Sequence, residues 1–214
     1  MKITFLCTDD THPVNAYLKQ WKKKNDTFHD IDICRKKSAL IGGDLLFLIS
    51  CSEIVRREDR EKYKESLVIH ASDLPLGRGW SPHVWQVLEG KTRIKVTLLT
   101  AGEGVDTGDI WDQMDLHIPK HFLWDEINTA LFEAEIKLID RAVRCFDQKV
   151  SKPQSKDIEP TYYPKRTPQD SEIDPHDTLA NQFDLIRVCD PHRFPAFFKL
   201  NGKTFKIRLE KDND

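Results

Sequence analysis

The chain has 214 residues, and 33 basic against 35 acidic side chains leave a formal net charge of −2. That length allows one well-buried α/β domain of about 150 residues plus a small appendage, and excludes two full domains. The near balance of charge excludes a global field that would draw the chain to nucleic acid or an anionic membrane, so neither is expected as a partner.

The apolar part of the opening stretch Met1 to Asp10 is far shorter than the core of a secretion signal. No later apolar run approaches a membrane span, so a cytoplasmic protein is expected. Lys2 to Cys7 reads as a strand and Asn15 to Lys24 as a helix, with Ala16, Leu18 and Trp21 set among lysines. A second strand is expected at Ile31 to Cys34. The nearly continuous apolar run Asp44 to Ile49 has the pattern of a strand covered on both faces, which makes it the expected centre of a parallel sheet.

Ser66 to Ile69 reads as a strand ending at His70, and Pro82 to Glu89 as a helix stopped by Gly90. Two period-2 runs follow, one on Ile94, Val96 and Leu98 and one on Met114, Leu116 and Ile118. Ile127, Leu131, Ala134, Leu138, Ala142 and Cys145 recur at intervals of three and four, the stripe of a long helix packed on the sheet. The expected fold is therefore α/β, a Rossmann-like open and mostly parallel sheet with helices on both faces, plus a small C-terminal subdomain with a β-hairpin.

Residues 1–150 form the first expected domain. Residues 151–178, rich in proline and charge, are expected as a linker or long loop. In 179–214, Leu179, Phe183 and Ile186 suit a short helix. Asn201-Gly202 between alternating runs is a type I′ hairpin signal that pairs Phe198 with Phe205. That apolar pair serves either a homodimer surface or the chain's own packing. Five cysteines (Cys7, Cys34, Cys51, Cys145, Cys189) are odd in number and widely spaced, which favours free thiols over disulfides or zinc, so no metal is expected.

Chemistry concentrates at two turns. His70 ends a strand ahead of a Pro/Gly-containing turn, at the carboxyl edge where open α/β sheets bind ligands. Asp106 lies between Gly104 and Gly108, in a turn that lets backbone approach a ligand closely. An imidazole and a carboxylate so delivered suit proton transfer. A histidine that bonds only the next loop, and a simple turn aspartate, are the alternatives.

The strings Ile69-His70-Ala71-Ser72-Asp73-Leu74-Pro75, Arg78-Gly79, Pro82 and Gly104-Val105-Asp106-Thr107-Gly108-Asp109-Ile110 together resemble the N10-formyltetrahydrofolate-dependent formyltransferase family. The resemblance implies formyl transfer from the folate N10 to an amine through a tetrahedral intermediate. His70 would then stabilise the oxyanion or shuttle the amine proton, and Asp106 would orient the imidazole and share in proton removal. It also implies N10-formyltetrahydrofolate as co-substrate, held by Ser50, Cys51, Ser52 and Glu53 after the central strand and by the Gly102 to Asp106 turn, Gly104 included.

The chain departs from the family's Asn-x-His pattern, because Val68 stands at the asparagine's place. An isopropyl group cannot donate to a formyl oxygen. Either Ser50, Ser52, Ser72 or a backbone amide replaces that donor, or the chain is a catalytically impaired folate- or nucleotide-binding homologue.

The tail resembles that of the nucleotide-sugar members in Tyr163 to Asp174, Asp184 to Val188 and Asp190 to Ala196. This implies an acceptor that is a nucleotide-linked 4-amino-4,6-dideoxy sugar, as in lipopolysaccharide or O-antigen synthesis. Methionyl-tRNA or another amine is the alternative acceptor. Arg78, Lys165, Arg166 and Arg193 are candidates for a diphosphate clamp, and Trp80 for stacking on sugar or base.

Overall fold

In the computed structural model, which describes residues 1–148 and 150–212, the alternating pattern of the first half becomes a six-stranded sheet. The elements are β1 (Lys2–Leu6), α1 (Val14–Asn25), β2 (Asp30–Cys34), β3 (Gly43–Leu48), α2 (Arg57–Arg60), β4 (Tyr63–His70), β5 (Arg78–Gly79) and α3 (Pro82–Leu88). They continue with β6 (Arg93–Thr100), β7 (Ile110–His117), α4 (Trp124–Arg144), β8 (Tyr162–Tyr163), α5 (Leu179–Arg187), β9 (Ala196–Leu200) and β10 (Lys203–Ile207). Strand order in the main sheet is β2-β1-β3-β4-β6-β7. The first four strands run parallel, and β6 and β7 are antiparallel to their neighbours.

The apolar run of β3 puts it between β1 and β4, at the centre, with Leu45, Leu46 and Phe47 fully buried. Phe5 and Phe47 lie opposite in register and stack at 5.3 Å. One face of the sheet is closed by α1 through Val14, Leu18 and Trp21, and by α4 through Leu131, Leu138 and Ala142. The other face buries Leu6, Leu46 and Leu48 under Leu40, Val55 and Tyr63. Because β2 and β3 flank β1 on opposite sides, the carboxyl ends of β1 and β3 border a crevice, the usual ligand position in such sheets.

At the other end of the chain, Asn201 and Gly202 both have positive φ, 51° and 72°, as a type I′ turn requires. Phe198 pairs and stacks with Phe205 at 5.3 Å. The hairpin and α5 share a small core of Ile173, Ile186, Cys189 and Ala196. Positions 213 and 214 of the expected C-terminal subdomain lie outside the described residues.

Residues 151–178, expected as a linker or long loop, form a long segment whose backbone pairs at several points with strands of the fold. Lys152 exchanges two backbone hydrogen bonds with Ile110, at 2.7 and 2.8 Å. Further on, β8 adds in parallel to β5, and Glu172 bridges Phe197. Prolines here remove donors from an otherwise extended chain, but several of its remaining peptide groups find partners on β5, β7 and β9. Composition alone carries no trace of that pairing. Among the described residues, no helix is long and apolar enough to cross a membrane.

Candidate active site

β4 delivers His70 at its last position, buried at 6% exposure. The imidazole Nε2 lies 2.8 Å from the carbonyl oxygen of Gly77. A carbonyl only accepts, so Nε2 carries a proton and donates. Nδ1 is thereby turned to Asp106, whose Oδ2 is 3.5 Å away. The same Oδ2 accepts from the backbone N–H of Gly79 at 2.9 Å. The neutral imidazole therefore presents a lone pair at Nδ1, and a proton arriving there meets a carboxylate.

The Asp106 turn is forced by its neighbours. Asp106 has φ 54°, in the left-handed region. A Cβ on Gly108 would lie 1.7 Å from the Thr100 carbonyl oxygen, so only glycine lets the turn close on β6. Gln154, from the segment expected to be a linker or long loop, donates Nε2 to the carbonyls of Asp106 at 2.7 Å and Gly108 at 2.9 Å. Its Oε1 accepts from Arg78 at 2.7 Å. Nothing in the sequence around Gln154 signals this contact.

The loop after β3 meets the loop after β1 through hydroxyls. Thr8 Oγ1 lies 3.0 Å from Ser52 Oγ and accepts from the Ser52 N–H at 2.9 Å. Ser50, at φ 47°, has its hydroxyl 3.2 Å from His12 Nε2. His12 Nδ1 accepts from the Val14 N–H, so Nε2 is the donor. Burial, together with the Arg193 charge, pulls His12 down to about 4 and keeps it neutral. Burial pushes the Cys51 thiol up, which disfavours a thiolate. The Glu53 carboxylate is turned away to accept from the Lys37 N–H at 2.9 Å. Arg60 joins the loop after β3 to the Asp106 loop, donating to the carbonyls of Val55 at 3.1 Å and Gly102 at 2.9 Å and pairing with Glu103. Gly104 accepts from Thr107 Oγ1 at 3.1 Å.

The five residues expected to hold the acceptor fall into two groups. Around β5 and β8, Lys165 Nζ sits 4.7 Å over the half-exposed Trp80 ring, and Arg166 braces Asp170 and Ser171 beside Trp85. Arg78 is buried, donating to Tyr162 at 3.0 Å and to Gln154. Its guanidinium is a latch between β5 and residues 154–162 rather than an open cation. Arg193 lies apart, paired with Asp9 in the loop after β1. Among the described residues no cluster of side chains could hold a metal ion.

The sequence profile of the formyl transferase family matches residues 8–143. A methionyl-tRNA formyltransferase of Rickettsia bellii is 31% identical over 170 residues, 78% of this chain and 55% of that protein. The chain thus spans about half the length of the curated relatives it matches. Among solved structures, a methionyl-tRNA formyltransferase from Clostridium thermocellum superposes with a TM-score of 0.78 at 25% identity, covering 97% of both chains. HypX from Aquifex aeolicus in complex with tetrahydrofolic acid has the same fold at TM-score 0.78 and 20% identity, covering 95% of this chain and 36% of that one. A sugar N-formyltransferase from Shewanella does so at 0.73 and 16%, covering 99% and 98%.

Proposed function

This chain belongs to the formyl transferase family, and on that premise we propose that it transfers a formyl group from N10-formyltetrahydrofolate to the amino group of a nucleotide-linked 4-amino-4,6-dideoxy sugar. The observation that carries the reading is the sealed pair of His70 and Asp106, with the imidazole tautomer fixed by Gly77.

The residues divide the work. Backbone groups of Ser50 to Glu53 and of the Gly102 to Asp106 turn would hold the pterin, and Arg60 ties the loop after β3 to the Asp106 loop through the Val55 and Gly102 carbonyls. His70 Nδ1 accepts the proton that the amine must lose after its nitrogen bonds the formyl carbon. Asp106 stabilises the resulting imidazolium. That proton then passes to N10 as the old carbon–nitrogen bond breaks, so the products are a formamide and tetrahydrofolate.

The sugar acceptor is supported by the tail strings from Tyr163 onward and by their position beside the site, where Lys165 and Trp80 flank β5. A second reading, transfer to methionyl-tRNA, is favoured by the names of the Rickettsia and Clostridium relatives. Against it stands the net charge of −2, since binding RNA phosphates calls for basic surface.

The two acceptors are separated by mass spectrometry of products from N10-formyltetrahydrofolate with UDP-, dTDP- and GDP-linked 4-amino sugars, and with methionyl-tRNA. A sugar product heavier by one formyl group is the expected result. Formyl-methionyl-tRNA with no sugar product would transfer the assignment to tRNA. Tight folate binding with no formyl product or release would leave only a binding protein.

A further inference from the structure

Both ring nitrogens of His70 face groups that only accept. Nε2 lies 2.8 Å from the Gly77 carbonyl oxygen, and Nδ1 lies 3.5 Å from Asp106 Oδ2. A neutral imidazole has one proton to share, so the two acceptors compete for it. With the proton on Nδ1, the ring would donate to Asp106 and could not take a proton from the amine at that atom. The nearer carbonyl holds the proton on Nε2 and keeps Nδ1 open as the base.

The direction of that carbonyl therefore matters, and Gly77 does not set it alone. Gly77 sits at φ 69°, and without a Cβ its two flanking peptides have wide freedom to rotate. Thr161 grips both of them. Its Oγ1 accepts from the Gly77 N–H at 2.8 Å, and its carbonyl accepts from the Arg78 N–H at 2.9 Å. In a trans peptide the N–H and the C=O point in opposite directions, so drawing the Arg78 N–H toward Thr161 aims the Gly77 carbonyl at His70. One residue further on, the Gly79 N–H goes to Asp106 Oδ2 at 2.9 Å. The strand β5 thus touches both members of the pair, and Thr161 holds the end of it that meets the imidazole.

We propose that Thr161 is a positioning residue that sets the tautomer of His70. Its hydroxyl steadies the peptides of Gly77, so that the imidazole keeps its proton on Nε2 and its lone pair on Nδ1. The consequence for rate rests on the formyl-transfer reading above, whereas the tautomer itself is a property of the protein without substrate.

The first measurement reads the tautomer. In protein with isotope-labelled histidine at about pH 9, where an ordinary imidazole is neutral, nitrogen resonances should show His70 protonated on Nε2 and bare on Nδ1. Thr161→Val keeps the branched side chain and the backbone carbonyl but loses the hydroxyl. The two His70 nitrogen resonances should then move toward each other as the proton spreads to Nδ1, and Thr161→Ser should keep them apart as in the unsubstituted protein. Thr161 is exposed, so no core cavity forms, and the thermal midpoint of either variant should change by less than about 4 °C.

The second measurement is tetrahydrofolate release. Loss of one such bond corresponds to about tenfold, so kcat should fall by about that factor in Thr161→Val, with KM for the folate within about threefold, and Thr161→Ser should stay near the original rate. An unchanged His70 tautomer in Thr161→Val, or a proton already on Nδ1 in the unsubstituted protein, would overturn the proposal. So would a tautomer change that appears equally in Thr161→Ser, or one that leaves kcat untouched in an active enzyme. If the unsubstituted protein released no formyl group, the formyl-transfer reading would fall, and the nitrogen resonances would still decide whether Thr161 sets the tautomer.

Discussion

Residues 1–148 and residues 150–178 hold the same site by different means. The first region fixes His70 through an apolar sheet whose central side chains are fully buried. The second fixes Asp106 through hydrogen bonds, with Gln154 on its loop, Thr161 Oγ1 on the Gly77 N–H at 2.8 Å, and Tyr163 on Trp80. An apolar core resists single changes until it loses volume, whereas a set of hydrogen bonds to loop edges fails locally, one bond at a time. The catalytic geometry therefore depends on the second region more than global stability does.

The sharpest test of the pair itself is Asp106→Asn. The amide oxygen can still accept from the Gly79 N–H, but the charge facing His70 is gone. Formyl release should fall by about 100- to 10,000-fold with the thermal midpoint nearly unchanged. A rate within threefold of the unsubstituted protein would mean that proton handling lies elsewhere.

Phe47→Ala probes the first region. Removing a fully buried ring stacked on Phe5 should cost about 3–5 kcal/mol in urea unfolding. The activity that survives per folded molecule should be close to normal. A large loss of rate in the folded fraction would break the distinction between the two regions.

Gln154→Leu probes the second. It strips the donor from two carbonyls of the Asp106 loop and the acceptor from Arg78, at a cost of about 1–3 kcal/mol. Hydrogen exchange should quicken at residues 104–109 and not in β3, and kcat should fall more than stability does. Uniform quickening across the sheet would show that residues 150–178 support the whole fold.

The same contrast explains what could be read in the sequence. Apolar periodicity locates β3 and α4 because burial selects residue types, and Asn201-Gly202 marks its turn because only certain residues accept positive φ. His70 and Asp106 stand out because glycines and prolines surround them. The roles of Gln154, Arg60 and Thr161 leave no such mark, since each acts through a polar side chain on another loop's backbone, and any exposed polar residue reads the same. Arg78 shows the same limit: its type suits an anion, and its bonds to Tyr162 and Gln154 leave no mark in the sequence.

Acid provides the mildest way to separate the two regions. His12 belongs to the first, half-buried between Phe132 and Ser50, and is pulled from 6.5 to about 4 by burial and by Arg193. Between those values the unfolded chain binds a proton that folded His12 refuses. Unfolding then takes up protons, so stability falls as pH drops from about 6.5 toward 4, and above pH 7 the imidazole contributes nothing to the slope. His83 acts in the same direction, and therefore His12→Gln should remove part of the acid loss rather than all of it. The drop in thermal midpoint between pH 7 and pH 4.5 should shrink by a few degrees in His12→Gln. His176, exposed in the second region, is the control for the same substitution. An unchanged drop in His12→Gln would mean that acid acts first on the loops, and the first region would lose its claim to be the part of the site that stability reports.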